Sequence, residues 1–164
     1  VITTVQSLQN RWQHVQEDDL VQSTFSTREQ IYIKGAALAR YTFGTTMRLN
    51  DAPEGTLPAF GILIHYEEHE NLRFRISMLN ERWVLIVESE GLTPAINRIM
   101  RLPESFDPSA WNTLQLVQQD EHADIDLNGT TLLSIIDGAR IGQPGLTTHN
   151  ASVEINKVWQ TPID

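Results

Sequence analysis

The chain has 164 residues, 40% of them hydrophobic, with 12 Lys+Arg against 21 Asp+Glu for a formal net charge of −9. That length and apolar content suit one domain with a sizeable core and exclude wholesale disorder; the negative balance excludes general nucleic-acid binding and docking on anionic membranes. Zero cysteines exclude disulfides, thiolate metal sites and a cysteine nucleophile, and no run approaches the ~20 apolar residues of a membrane span.

Residues 1–10 read as a lead-in segment, followed by a single domain over 11–164. The start, Val1-Ile2-Thr3-Thr4, lacks the basic residues and apolar core of a signal peptide and has no initiator Met. The chain is therefore read as a processed product or an excised domain. From Tyr41 onward the dominant signal is period two. Tyr41, Phe43, Met47 and Leu49 alternate with Arg40, Thr42, Thr46 and Arg48. Phe60, Ile62, Ile64 and Tyr66 alternate with Gly61, Leu63 and His65, and Leu72, Phe74, Ile76 and Met78 with Arg73, Arg75 and Ser77. Successive side chains of a strand point to opposite faces, so these are half-buried strands.

Turn signals separate the runs. Asn50–Gly55 is a polar loop with Pro and Gly, Glu67–Asn71 a charged hairpin tip, and Leu79-Asn80-Glu81-Arg82 a tight turn into Trp83–Val87. Pro103–Ala110 reads as a loop with at most one helical turn. Asn128-Gly129 is the strongest hairpin cue, because both central residues of a type I′ turn need positive φ. Asp137-Gly138 and Gln143-Pro144-Gly145 read as further turns. About a dozen short strands and no long amphipathic helix predict an all-β, antiparallel two-sheet sandwich or a barrel.

The chemistry-bearing motifs are few. There is no Gly-x-Ser-x-Gly elbow, phosphate-cradling glycine loop or dinucleotide fingerprint. Glu88 with Glu90, and Asp124 with Asp126, each share a strand face, the minimum for a paired-carboxylate glycosidase. His65 and His69 have the spacing that suits zinc on a helix, but here the segment runs from strand into hairpin tip. If the alternating apolar residues form the core, the opposite face carries Arg40, Arg48, His65, Arg73 and Arg75. Five such groups on one face are unexpected in so acidic a chain, and guanidinium forks grip sugar hydroxyls or carboxylates. Trp83, at the start of the next strand, would supply an aromatic platform beside them. The competing readings of that face are cross-strand ion pairs and a surface for a partner domain. Both faces of the Trp83–Val87 strand are apolar, which suits a covered strand.

An ordered set of motifs then resembles a known group. Arg11-Trp12-Gln13-His14-Val15 followed by Asp19–Ser23 resembles the opening hairpin of concanavalin A-like jelly rolls, and Ala59–Tyr66 resembles a later strand of the same group. Ser109–Leu116, the Ala123–Gly129 hairpin, Ile141–Thr148 and Ala151–Val158 resemble its closing strands. The similarity runs from about Trp12 to Trp159 and is nearest to the accessory β-sandwich of family 32 and 43 glycoside hydrolases (exo-inulinase type) and to the 3-keto-disaccharide hydrolase domain. It implies a concanavalin A-like jelly roll with a concave face that meets sugar or a neighbouring catalytic domain. It also implies that Trp12, Trp111 and Trp159 close the core or its rim. No cofactor is required, but such folds carry calcium, for which Asp18, Asp19 and Glu154 would be ligands if the terminal strands pair.

The function expected is that of a non-catalytic, carbohydrate-associated module of a glycoside hydrolase, binding polysaccharide or oligosaccharide or buttressing the catalytic domain, in an extracytoplasmic bacterial setting. One alternative is a small glycoside-cleaving enzyme of the 3-keto-disaccharide hydrolase type, signalled by acid, His and Arg clustered on one face. The other is a protein-binding structural or sensor ectodomain.

Overall fold

A computed structural model of the chain describes residues 3–4, 12–14, 21–23, 28–33, 35–52, 54–136 and 141–164. In chain order the strands are β1 (Thr3–Thr4), β2 (Trp12–His14), β3 (Val21–Ser23), β4 (Gln30–Ile33), β5 (Tyr41–Asp51), β6 (Ala59–Glu67) and β7 (Glu70–Leu79). They continue as β8 (Arg82–Glu90), β9 (Asn97–Arg101), β10 (Asn112–Gln119), β11 (His122–Leu127), β12 (Thr130–Ile136), β13 (Gln143–His149) and β14 (Ser152–Pro162). Among the described residues they form two seven-stranded sheets: sheet A in the order β1-β4-β13-β6-β7-β8-β9, and sheet B in the order β12-β11-β10-β5-β14-β3-β2. Every pairing is antiparallel. The fold is an all-β sandwich of the jelly-roll kind. Within the segment read as a lead-in, Thr3 and Thr4 pair with Ile33 and Tyr32 at the edge of sheet A.

The alternation along the strands explains why two sheets form and why they stack. Phe60, Ile62 and Ile64 of β6, Leu72, Phe74 and Ile76 of β7, and Leu85 and Val87 of β8 line the inner face of sheet A. Tyr41, Phe43 and Met47 of β5, Leu114 and Leu116 of β10, and Val153 and Ile155 of β14 line the inner face of sheet B. Neither face is stable in water alone. Packing one on the other removes both, and each buried Leu, Ile or Phe contributes about 1.5–3 kcal/mol.

Hairpins set the register. Asn128 and Gly129 have φ of 51° and 86°, the backbone a type I′ turn demands. Asn80 and Glu81, at 50° and 63°, form a second two-residue turn between β7 and β8. Pro103–Ala110 is a loop closed by turns, with Phe106 N donating to Pro103 O and Ala110 N to Asp107 O. Asp137-Gly138 lies outside the described residues. Gln143-Pro144-Gly145 is not a turn: it opens β13. Proline is tolerated there because pairing with β4 begins only at Gly145, so no ladder hydrogen bond on that side needs its missing N–H.

Gly61 lies in the centre of sheet A, between Thr147 of β13 and Arg75 of β7. A Cβ there would overlap the carbonyl oxygen of Phe74, a backbone atom that cannot step aside. Gly61→Ala should therefore destabilise the domain by about 3 kcal/mol, lowering Tm by roughly 6–12 °C. Thermal unfolding followed by circular dichroism measures this directly.

Candidate functional site

The six residues expected at a sugar-binding face do not share one face. His65, Arg73 and Arg75 stand on the outer face of sheet A, whereas β5 belongs to sheet B, so Arg48 stands on the outer face of the opposite sheet. Arg40, just before β5, lies at the far end of the sandwich, 3.9 Å from Asp120. Trp83 pairs with Met78 and shares the inner side of β8 with Leu85 and Val87. It packs edge-on against Phe60 and Phe106 with ring centroids 6.4 and 5.8 Å apart, so it closes one end of the core and is no platform for the arginines. The physical reason is general: alternation says which residues point out, not out of which sheet.

On sheet A the arginines are held by carboxylates. Arg73 makes a two-pronged contact with Glu29, Nε donating to Oε2 at 2.7 Å and Nη2 to Oε1 at 2.6 Å. Thr147 Oγ1 donates to the same Glu29 Oε2 at 2.6 Å. Arg73 Nη1 also donates to Asn71 Oδ1 and lies 3.2 Å from Glu90 Oε2, and Arg75 Nη2 donates to Glu88 Oε1. The register partner of Arg73 on β8 is Glu88, yet Arg73 reaches Glu90 and Arg75 reaches Glu88. Both arginines thus bond diagonally, one pair along, within the span of long side chains across a ladder. His65 stands beside this group, opposite Asn71.

Burial pushes the Glu29 carboxyl up, but hydrogen bonding and charge from Arg73, the Thr147 hydroxyl and the Arg75 charge outweigh it and hold it below the ordinary carboxylate range. The Arg73 guanidinium is opposed by burial and raised on balance by Glu29 and Glu90. The side chains of Arg73 and Glu29 are only 12% and 19% exposed. The network is therefore a solid part of the sheet and not a row of free cations.

A second cluster forms at the end of the sandwich where the 102–111 loop meets the β11–β12 turn. Trp111, 39% exposed, lies under the Arg48 guanidinium, whose Cζ is 4.4 Å from the ring centroid. Arg48 is fixed in turn by Glu154, with Nη2–Oε2 at 2.6 Å and Nε–Oε2 at 2.8 Å. A cation so placed steadies the indole and fixes its orientation. Beside Trp111 opens a cleft of about 380 Å³, bounded by Phe106, Asp107, Asn128, Thr130 and Leu132. On the other side of Phe106 a cleft of about 340 Å³ runs between Trp83, Arg82, Arg101 and Glu104. Aromatic walls with a polar rim suit the apolar faces and hydroxyl edges of a sugar.

Two of the tryptophans expected to close the core or its rim, Trp111 and Trp159, are not part of the core. Trp111 is out of phase with Leu114 and Leu116, a signal present in the sequence. Trp159 packs on the outer face of sheet B, its ring lying over Gly44, where a Cβ would come within 2.5 Å of Cε2 and 2.8 Å of Cη2. Trp12 begins β2. Of the expected calcium ligands, Asp18 and Asp19 lie outside the described residues and Glu154 is paired with Arg48. Among the described residues no three His, Asp or Glu side chains converge as a metal site.

No protein-family model matches the sequence, and no curated protein matches it. The fold, however, is shared widely. The carbohydrate-binding module CBM66 from Bacillus subtilis matches with a TM-score of 0.73 at 15% identity, over 97% of this chain and 94% of that one. The GH43 protein BlXynB from Bacillus licheniformis (mutant K247S) matches with a TM-score of 0.77 at 10% identity, and the xyloglucan PUL GH43B protein of Bacteroides ovatus with 0.76 at 8%. This chain covers 99% of itself against each, but only 37% and 36% of their lengths. The chain thus has the concanavalin A-like jelly-roll fold, the one its motifs resemble.

The Glu29 network generates two expectations. Breaking a pair this buried lies between the 0–1 kcal/mol of exposed pairs and the 3–5 kcal/mol of buried ones. Arg73→Ala should therefore cost about 2–4 kcal/mol, with a Tm lower by roughly 5–12 °C. Because the Glu29 carboxyl is held below its unfolded value, its contribution is complete above about pH 4.5 and is lost as pH falls through the folded value. Glu29→Gln should thus lower Tm at pH 7 but flatten the decline of Tm between pH 5 and pH 3. Parallel curves for wild type and variant would show that Glu29 is not held in this way.

Proposed function

We propose that this chain is a non-catalytic, carbohydrate-associated accessory module that binds glycan at the end cleft beside Trp111. The observation that carries the reading is that cleft: an indole steadied by Arg48 and Glu154, half-exposed, facing a space of sugar size with carboxylate, amide and hydroxyl groups at its rim. The likeness to CBM66 along nearly the whole of both chains supports it, as does the recurrence of the fold as about a third of two GH43 proteins. The partners are then a polysaccharide or oligosaccharide and the catalytic domain of a parent glycoside hydrolase. The outer face of sheet A, with His65, Arg73 and Arg75, is the surface left for that domain. The setting is extracytoplasmic, where polymeric glycans are met, and calcium is a candidate ligand.

A second reading, a small glycoside-cleaving enzyme, is favoured by the clustering of Glu29, His65, Arg73, Arg75, Glu88 and Glu90 on one face. A general acid needs a raised pKa, and Glu29 is held in the opposite direction. Binding is therefore the better account.

Electrophoresis of the isolated chain in gels cast with plant, fungal and bacterial polysaccharides, with and without calcium, tests the proposal. Retardation by at least one glycan is expected, reduced by Trp111→Ala with little change in Tm. Reducing-sugar release from the retained glycan would instead favour the enzyme.

A further inference from the structure

Sheet B carries a second aromatic surface that the cleft does not account for. Val153 and Ile155 of β14 point into the core, and strict alternation would send Trp159 in after them. A bulge intervenes: Ile155 pairs with Met47, but Lys157 pairs with Thr46, so Asn156 is an extra residue. One inserted residue reverses which face the rest of the strand presents. Val158 then packs against the core, and Trp159 turns outward opposite Gly44.

At Gly44 there is no side chain to hold the indole off the sheet, and the ring lies against the backbone. The ring meets β5 over Gly44, and the side chain as a whole is half-buried. The same cross-strand row continues to Gln115 of β10 and Asp126 of β11. Along β5 the outward positions are Arg48, Thr46, Gly44 and Thr42. Trp111 lies at Arg48 and Trp159 at Gly44, four residues or about 13 Å apart. Between them are Thr46 and Thr113, whose hydroxyls meet at 3.2 Å, and exposed Lys157.

We propose that Trp111 and Trp159 mark the two ends of one track for an extended, neutral polysaccharide strand lying along β5 on the outer face of sheet B. This rests on the glycan-binding reading and names its ligand class. A single sugar ring covers one indole and cannot touch both, whereas a chain of several rings can. Neutral glycan fits because Arg48 is already neutralised by Glu154 and the −9 chain repels polyanions.

The test uses calorimetry with oligosaccharides, from disaccharide to hexasaccharide, of whichever polysaccharide retards the wild type. Wild-type affinity should rise with length. Trp159→Ala should leave disaccharide binding unchanged and weaken hexasaccharide binding roughly 3- to 10-fold, with Trp159→Phe falling between. Gly44→Val, which puts a side chain under the ring, should act like Trp159→Ala. Equal hexasaccharide affinity in wild type and Trp159→Ala, with Trp111→Ala still impaired, would overturn the track and leave the cleft as the whole site. Retardation of the wild type by no glycan would overturn the glycan-binding reading and the track with it.

Discussion

Sheet A must bury an apolar inner face and settle a charged outer face with the same three long strands. The Glu29 carboxylate meets that constraint. Standing just before β4, it bonds Thr147 on β13 and Arg73 on β7, reaching across β6 at the level of Gly61. A side chain at Gly61 would overlap the Phe74 carbonyl oxygen, so this stretch of β6 runs close against the β7 backbone. Two cations and three carboxylates, from Glu29, Glu88 and Glu90, thereby settle into one hydrogen-bonded sheet of charge. What the composition presents as surplus arginine is the cross-bracing of a β-sheet.

Sheet B is built to the opposite end. Its central strand, β5, is flanked by β10 and β14, and its outward positions carry threonines, a glycine and one paired arginine. The aromatic groups come from outside β5, Trp111 from the loop before β10 and Trp159 from β14 beyond the bulge. Rigid backbone beneath and ordered side chains around each ring reduce the ordering that binding would otherwise require. One sheet is closed by ion pairs and the other keeps indole surface available, which gives the domain two unlike faces.

A jelly roll hosts many functions, so the fold itself does not choose among them. The choice rests on which groups are free. Carboxylates locked to guanidiniums are poor proton donors, and Glu29 is held ionised by its surroundings. The half-exposed indoles of Trp111 and Trp159 are not locked in this way, and they are the groups that the proposed stacking on a sugar would use.

Much of this was readable before any coordinates. Period-two runs identified β5, β6 and β7, Asn80-Glu81 marked the turn into β8 and Asn128-Gly129 the one between β11 and β12; the parity of Trp111 against Leu114 and Leu116 was present too, but the family resemblance pointed to the core or its rim instead. These are local properties, carried by residues within a few positions of one another. Three things were not local. The assignment of β5 to one sheet and β6 to the other separates Arg48 from Arg73, and alternation is blind to it. The bond between Glu29 and Arg73 joins residues 44 positions apart, which no spacing rule anticipates. The bulge at Asn156 shows in the sequence only as two successive polar residues, Asn156 and Lys157, yet it decides whether Trp159 fills the core or faces outward. Sequence determined the strands and their faces, because side-chain parity is a property of each strand alone; tertiary structure decided which faces meet, because pairing and register depend on strands far away in the chain.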